Sequence, residues 1–347
     1  MTGTKIAFLY SEIAGYFMAC AESLAKKGQV LIIRWPTNAE APFEFDSSTN
    51  LEIITKTDHS QPQLAKILTN FKPDIVVCSG WMDKDYLKLV KGLDKNVVKV
   101  LSLDNHWNGG IKQRIACALS PFFLKRYFSH AWVPGNKQEL YAKKLGFKSA
   151  IIKGFYCANT SFFNEKYNRT FKQKEKSFPK KFLYVARYVE HKGIFEMWEA
   201  FCQLQAENPN EWELWCLGTG DQWDNKVEHE KIKHFGFVQP KEMDEFIEKT
   251  GVYILPSKFE PWGVSVQEFA IAGFPLLLSN SIGSKERFLE KNGISFNAGS
   301  ISEIKTAMKK MVDMSENELI KFGQMSHEIG MSYTTDQWAD KILALKK

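Results

Sequence analysis

Short apolar runs alternate with amphipathic segments throughout the first half of the chain. The runs predict six strands, which span residues 5–10, 30–34, 74–78, 97–103, 131–134 and 150–153. Amphipathic helices are predicted between them at residues 11–27, 84–91 and 137–145. Because the runs are continuous and rich in β-branched residues, they are typical of parallel strands buried on both faces. The pattern predicts a doubly wound α/β sheet.

The same alternation restarts in the second half, after a polar interruption. Residues 166–181 carry seven basic residues against one glutamate and have no apolar period, so a basic linker is predicted there. Further strands are predicted at residues 182–185, 212–217, 234–238 and 252–256, and helices at 194–205, 243–249 and 264–272.

The fold class predicted is α/β, with two Rossmann-like domains that face each other across a cleft. The first domain spans residues 1–165 and the second spans residues 182–330. Residues 331–347 are predicted to form a C-terminal helix that packs back across the interface, because Trp338 and Ile342 share one helical face.

The composition is that of a folded protein without disulfide crosslinks. The 347 residues are 44% hydrophobic and 25% charged, with a formal net charge of +6. Six cysteines stand singly, which argues against a disulfide framework or a zinc site and favours a cytoplasmic location. The net charge is too low for a dedicated nucleic-acid binder, and no apolar stretch reaches the roughly 18 residues of a membrane span.

The densest chemical signal is the segment 255–275, which contains Glu260 and Glu268. Glu260 falls in the turn after a predicted strand, and Gly263 lets a ligand approach the backbone closely. Glu268 lies about one turn inside the helix predicted at residues 264–272. The start of that helix favours an anion such as a diphosphate, whereas a nearby carboxylate can hold neutral hydroxyls.

This segment resembles the retaining GT-B glycosyltransferases of the large group 1 family, whose pattern is Glu, seven residues, Glu, then a small-residue helix. The resemblance implies that Arg187 and Lys192, with the backbone at Trp262 and Gly263, grip the diphosphate of the donor. It also implies nucleotide contacts, which are expected at Gly218, Gly236, Phe237, Val238 and Glu268.

The resemblance to this family implies a retaining, metal-independent transfer of a sugar from a nucleotide diphosphate sugar to an acceptor hydroxyl. No cofactor is required. Glu268 would accept hydrogen bonds from the ribose, and Glu260 would act catalytically on the transferred sugar. The cations and the helix start would stabilise the charge that develops on the leaving diphosphate.

The first domain matches the family less closely. The family's glycine-rich loop is replaced by residues 11–15, in which Glu12 and Gly15 are acceptor-side candidates. Near the end of a middle strand, where many members have a histidine, Asp104 and His106 are both catalytic candidates. A packed, hydrogen-bonded role is the alternative for His106.

The first domain also contains an Asp-x-Asp pair. Asp83 and Asp85 mimic a metal-binding Asp-x-Asp, but they lie where a helix begins, so capping is the favoured interpretation and no metal site is predicted.

A catalytically silent nucleotide-sugar-binding protein of this fold and a sugar-nucleotide epimerase stay open as alternatives.

Basic charge is concentrated at residues 105–153, which carry nine Lys or Arg against Glu139 alone. Apolar residues such as Leu119 and Phe122 lie among them. This mixture fits either a helix whose aromatics fill the core or one that lies on an anionic membrane. Because the first domain usually holds the acceptor in this family, the expected acceptor is a polysaccharide or lipid-linked glycan of the bacterial cell surface, used at the inner face of the plasma membrane.

Overall fold

The structure of the protein is a computed structural model that describes residues 3–37 and 45–346. These residues form two compact units. The first combines the chain up to Asn159 with the segment from Tyr333, and the second spans Thr160–Ser332. Positions 1–2, 38–44 and 347, which the predicted domains include, lie outside the described residues. Among the residues described, no helix is both long and apolar enough to cross a membrane.

The first unit contains one parallel sheet with helices on both faces. Its strands are β1 (Thr4–Tyr10), β2 (Gly28–Arg34), β3 (Leu51–Thr55), β4 (Ile75–Ser79), β5 (Val98–Ser102), β6 (His130–Val133) and β7 (Ile151–Lys153). They are ordered β3-β2-β1-β4-β5-β6-β7 across the sheet. The helices are α1 (Gly15–Ala25), α2 (Gln61–Phe71), α3 (Lys84–Gly92), α4 (Ile111–Tyr127), α5 (Asn136–Lys144) and, from the C-terminus, α13 (Thr335–Leu343).

Strand β1 shows why continuous apolar runs mark this sheet. Successive side chains of a strand point to opposite faces, so a strand covered on both sides must be apolar at every position. Ile6 and Phe8 pack into the core that contains residues of α1 and α13, whereas Ala7 and Leu9 pack into the core on the other face. The predicted doubly wound architecture is confirmed.

Asp83 caps α3. One carboxylate oxygen accepts hydrogen bonds from the amides of Asp85 and Tyr86, at 2.9 and 3.1 Å. The other oxygen accepts from Lys56 and Trp35, each at 2.7 Å. Every contact of this carboxylate is therefore structural, and the interpretation of the Asp-x-Asp pair as a helix cap is confirmed.

The second unit repeats the architecture with a six-stranded parallel sheet. Its strands are β8 (Lys181–Val185), β9 (Glu213–Leu217), β10 (Ile232–Gly236), β11 (Val252–Leu255), β12 (Leu276–Ser279) and β13 (Gly293–Phe296). They are ordered β10-β9-β8-β11-β12-β13. The helices are α6 (Thr160–Lys174), α7 (Ile194–Glu207), α8 (Met243–Lys249), α9 (Val264–Ile271), α10 (Lys285–Phe288), α11 (Ile301–Asp313) and α12 (Glu316–Gly330).

The prediction of a linker at residues 166–181 is wrong, because residues up to Lys174 belong to α6 and β8 begins at Lys181. Two basic residues of this helix are buried and pack against its neighbours. Lys166 forms an ion pair with Asp244 at 2.9 Å, and the Nζ of Lys174 is buried 3.6 Å from the ring centroid of Phe274. These cation contacts add to an aromatic face of the same helix, on which Phe163 and Phe171 are buried and Tyr167 stacks on His327.

Helix α13 completes the core of the first unit. Trp338 is buried, its Nε1 donates a hydrogen bond to the carbonyl of Phe155 at 2.8 Å, and its ring lies 4.8 Å from that of Trp132. The helix begins with a capping box between Thr334 and Gln337. The C-terminal segment therefore contributes core side chains to a sheet formed more than 180 residues earlier.

We expect Trp338→Ala to destabilise the first unit by about 3–5 kcal/mol, because it leaves a cavity and removes the hydrogen bond to Phe155. Urea unfolding measures the loss. Trp35→Ala is the matched control, since Trp35 is 41% exposed and should cost much less. Equal losses for the two variants would contradict the core role of α13.

Candidate functional site

Three neighbouring strands of the second sheet carry the predicted donor-site residues at their carboxyl ends. Strands β9, β8 and β11 are adjacent in the sheet, so the loops that follow them lie side by side. These loops span residues 186–193, 218–222 and 256–263. The carboxyl edge of a parallel sheet is where such folds bind ligands.

Glycines allow these loops to touch through their backbones. A Cβ on Gly193, which has φ of +71°, would lie 2.3 Å from the carbonyl oxygen of Pro256. A Cβ on Gly218 would lie 2.0 Å from that of Ala186. Hydrogen bonds reinforce the contact, since the amide of Lys258 donates to the carbonyl of His191 at 2.8 Å. Gly218 thus has a packing role, and its predicted contact with the nucleotide stays a prediction.

Close contact between these loops brings Lys192 and Glu260 into an ion pair, although the two residues lie 68 residues apart in the chain. Their side chains are only 15% and 13% exposed. Removal of one partner from a pair shielded to this degree strongly destabilises the folded protein, because the other charge is left buried and uncompensated. The structure therefore joins a predicted diphosphate-binding cation directly to the predicted catalytic carboxylate.

The loop after β8 carries a concentration of positive charge. Arg187 is exposed, and its carbonyl accepts a hydrogen bond from Tyr184 at 3.0 Å. Partial burial lowers the pKa of His191, and the nearby Lys192 and Arg187 lower it further. The carboxylates of Glu260 and Asp221 oppose this effect of the two cations.

Helix α9 starts at the same edge of the sheet. Gly263, with φ of +86°, forms its N-cap, and the side chain of Trp262 is buried near Phe288. Within the part of the chain described, the amides of Trp262, Gly263 and Val264 donate no hydrogen bond. These amides and the positive end of the helix dipole can receive an anion, whereas the indole of Trp262 belongs to the core.

Glu268 lies about one turn inside α9, half-buried. Loss of solvent raises the pKa of its carboxyl from 4.5 to about 7. No hydrogen bond or ion pair to this carboxyl forms within residues 3–37 and 45–346. A desolvated carboxylate without a protein partner is suited to accept hydrogen bonds from ligand hydroxyls.

Strand β10 supplies the remaining predicted nucleotide contacts. Gly236, with φ of +74°, ends the strand, and its carbonyl accepts a hydrogen bond from the amide of Gly218 at 2.7 Å. Phe237 is 43% exposed and Val238 is half-buried. The backbone of Gly236 therefore contacts the loop after β9, and the accessible ring of Phe237 follows directly in the chain. Contact of either residue with a base stays a prediction.

Sequence reasoning missed the side-chain pair that holds the loop after β8 in place. The hydroxyl of Tyr188 hydrogen-bonds Nδ1 of His234 at 2.8 Å, while Nε2 of that histidine lies 3.0 Å from the carbonyl of Val227. Burial lowers the pKa of His234, which favours a neutral ring whose Nδ1 can accept from Tyr188 while its Nε2 donates to Val227. Its position in β10, one residue before the exposed Phe235, is a weak signal that His234 points inward. Alternation alone does not distinguish a packed histidine from one that binds a ligand.

The candidate residues of the first unit lie at the carboxyl ends of β1 and β5. Glu12 is exposed, and Gly15 begins α1, where an added Cβ would meet nothing within 4 Å. Asp104 accepts a hydrogen bond from Tyr156 at 3.3 Å. His106 is half-buried. Burial lowers its pKa, and the positive charge of Lys137 lowers it further. The catalytic and acceptor roles of these residues stay predictions.

Comparison of the structure with solved proteins identifies the fold as that of the GT-B glycosyltransferases. A glycosyltransferase from Rickettsia africae has a TM-score of 0.76 at 14% identity, with 100% of this chain and 98% of that chain covered. An Anabaena protein in complex with UDP and glucose has a TM-score of 0.69 at 13% identity, with 99% of each chain covered. Likeness at these identities shows the fold alone.

Sequence comparison then confirms the resemblance to group 1. The family model described as glycosyl transferases group 1 matches residues 166–325 of this chain. Glycogen synthase of Mycobacterium tuberculosis is 26% identical over 143 residues, which cover 39% of this chain and 34% of that protein. The chain thus spans about a third of the length of the curated relatives that it matches.

Gly193→Ala should disrupt the loops that follow β8 and β11 far more than Gly299→Ala. Both glycines have positive φ, so alanine costs about 1–2 kcal/mol at either position. Only at Gly193 must the carbonyl of Pro256 also move, since the nearest atom to a Cβ on Gly299 lies 3.8 Å away. Urea unfolding compares the two variants, and equal destabilisation would show that the close contact is unimportant.

Glu268→Gln should raise the thermal stability of the ligand-free protein at alkaline pH. Because the folded carboxyl has a pKa of about 7 against an ordinary 4.5, folding loses stability as the pH rises through that interval. The neutral amide avoids this loss, so the Tm gain should reach several degrees above pH 8, at about 2–4 °C per kcal/mol. Near pH 4.5 the gain should vanish.

The exposed Glu230→Gln serves as the control for this stability measurement. It should leave Tm unchanged at both pH values, because its carboxyl is solvated in either state. A Tm gain for Glu268→Gln that does not depend on pH would contradict the desolvation of Glu268.

Proposed function

We propose that the protein is a glycosyltransferase that moves a sugar from a nucleotide diphosphate sugar to an acceptor hydroxyl. The arrangement at the carboxyl edge of the second sheet carries this proposal. Cations, free amides and a desolvated carboxylate occupy neighbouring loops there, and each matches one chemical part of such a donor. The Anabaena protein of the same fold, solved with UDP and glucose, gives further support.

In the proposed reaction, the donor diphosphate binds Arg187, Lys192 and the amides that open α9. An ammonium group has three hydrogen-bond donors, so Lys192 can retain Glu260 on one of them while another binds a phosphate oxygen. As the bond to the sugar breaks, negative charge grows on the diphosphate. Groups already fixed around that position stabilise the charge without reorganising, which lowers the barrier.

The two glutamates divide the remaining contacts. Glu268 accepts hydrogen bonds from the ribose hydroxyls, and the expulsion of water by the nucleotide strengthens these bonds. Glu260, held by Lys192, accepts hydrogen bonds from the transferred sugar and stabilises positive charge at its anomeric carbon. We propose that the acceptor hydroxyl attacks the anomeric carbon from the face that the diphosphate leaves and passes its proton to the departing phosphate oxygen. The transfer proceeds with retention and without a metal, since the protein's own cations carry the charge.

The proposed acceptor is a polysaccharide or lipid-linked glycan of a bacterial cell surface, and the proposed location is the cytoplasmic side of the plasma membrane. The basic residues of the first unit support an acceptor on an anionic carrier, because such a carrier concentrates near unpaired cations.

A panel of UDP, GDP, ADP and dTDP sugars should contain at least one that raises Tm, because a ligand of the folded state stabilises it by mass action. Glu268→Gln should weaken binding of that donor by roughly 10- to 100-fold, since hydrogen bonds to a charged group are lost. Glu230→Gln should bind it like the wild type. Isothermal titration measures the affinities.

Product analysis on the same donor separates the enzyme from its alternatives. Release of nucleotide diphosphate with the sugar hydrolysed or transferred supports the proposal. Stabilisation without any turnover would indicate a silent binding protein, and conversion of the donor into its epimer would indicate an epimerase. If no nucleotide sugar stabilises the protein, the proposal fails.

A further inference from the structure

Helix α4 of the first unit exposes a row of large apolar side chains. Ile111, Ile115, Leu119 and Phe122 are 77%, 54%, 52% and 76% exposed. Their spacing of four, four and three residues places them within a sector of about 80° on the helix surface. We call these four side chains the α4 stripe.

The opposite side of α4 already supplies the contacts that the fold needs. Leu124 is fully buried, and the hydroxyl of Ser120 donates a hydrogen bond to the carbonyl of Leu145 at 2.6 Å. Both residues lie more than 90° from the centre of the α4 stripe. The stripe is therefore additional apolar surface, and the core of the unit does not account for it.

Basic side chains border the α4 stripe on both sides. Lys112, Arg114, Lys125 and Arg126 lie on the same helix, which contains no acidic residue. Among the residues that the structure describes, none of these four forms a salt bridge with a carboxylate. The only acidic residue of segment 105–153, Glu139, is already paired with Lys143 and Lys153, at 2.7 and 3.2 Å.

A second group of cations lies at the end of α5, next to α4. A Cβ on Gly146 would lie 3.5 Å from Lys125, which shows how closely the two segments approach. Lys144 and Lys148, on either side of that glycine, are exposed. The surface around the α4 stripe thus carries unbalanced positive charge contributed by two helices.

We propose that the α4 stripe inserts into the interface of an anionic lipid bilayer, with the surrounding Lys and Arg side chains bound to lipid phosphates. An exposed apolar sector bordered by cations is the chemistry by which interfacial helices bind membranes. A nucleic acid would match the charges but would leave the aliphatic side chains in water. The inference rests on the proposed function only for its biological purpose, because binding to lipid requires no turnover.

Flotation with vesicles tests the proposal on the full chain. Vesicles of phosphatidylcholine with about 30% phosphatidylglycerol should bind the protein, and pure phosphatidylcholine should bind it at least roughly tenfold less. Raising the salt from about 0.05 to 0.5 M should weaken binding, because exposed charges are screened. Equal recovery on the two kinds of vesicle, insensitive to salt, would overturn the proposal.

Paired substitutions locate the binding surface. Ile111→Ser with Phe122→Ser should lower partitioning roughly tenfold or more without lowering Tm, because neither side chain packs in the core. Met82→Ser is the matched control, since Met82 is 84% exposed but lies beside Asp83 and should not affect binding. Vesicle binding that survives the double substitution would overturn insertion of the α4 stripe.

Two further outcomes also decide the proposal. If the wild type self-associates in solution and the double variant is monomeric, the α4 stripe is a protein interface and the lipid assignment is wrong. If the wild type transfers sugar to a soluble acceptor but ignores vesicles, this inference fails while the proposed function stands. Binding to anionic vesicles without any donor turnover would support the inference and remove only the proposed function.

Discussion

The candidate site depends on close backbone contact between the loops that follow β8, β9 and β11. Gly193 and Gly218 permit this contact, since any side chain at either position would overlap a carbonyl oxygen of the neighbouring loop. The contact fixes the distance between Lys192 and Glu260, which the chain itself separates by 68 residues. The two uncharged glycines thus allow the Lys192–Glu260 ion pair to form.

The same region is arranged at a cost in stability. Glu268 is desolvated and has no partner among the residues that the structure describes, which destabilises its charged form and raises the pKa of the carboxyl to about 7. Lys192 and Glu260 compensate each other, so their burial is tolerated. A partnerless carboxylate beside a compensated pair is unfavourable for folding alone, and a ligand with hydroxyls would relieve it.

Strands buried on both faces could be predicted from sequence, whereas elements defined by their partners could not. The segment of β1 is apolar at successive positions, so its pattern has one interpretation. The edge strand β3 is mostly half-buried and has no such run, so its sequence predicts no strand. The basic segment of α6 predicts a linker, because the ion pair of Lys166 and the ring contact of Lys174 appear only in the folded structure. The pairing of Lys192 with Glu260 likewise has no signal in local spacing.

Positive charge occurs in two distinct arrangements in this chain, which differ in whether a carboxylate pairs with it. In the second unit, Lys192 is held by a carboxylate, so its position is defined before any ligand arrives. On α4, Lys112 and Arg126 are exposed and lack an acidic partner within the described residues, so no carboxylate fixes the position of their charges. A paired cation suits a ligand of defined shape, whereas unpaired cations suit a fluid surface whose charges can rearrange. Net charge alone hides this distinction, because both kinds of lysine count equally toward +6.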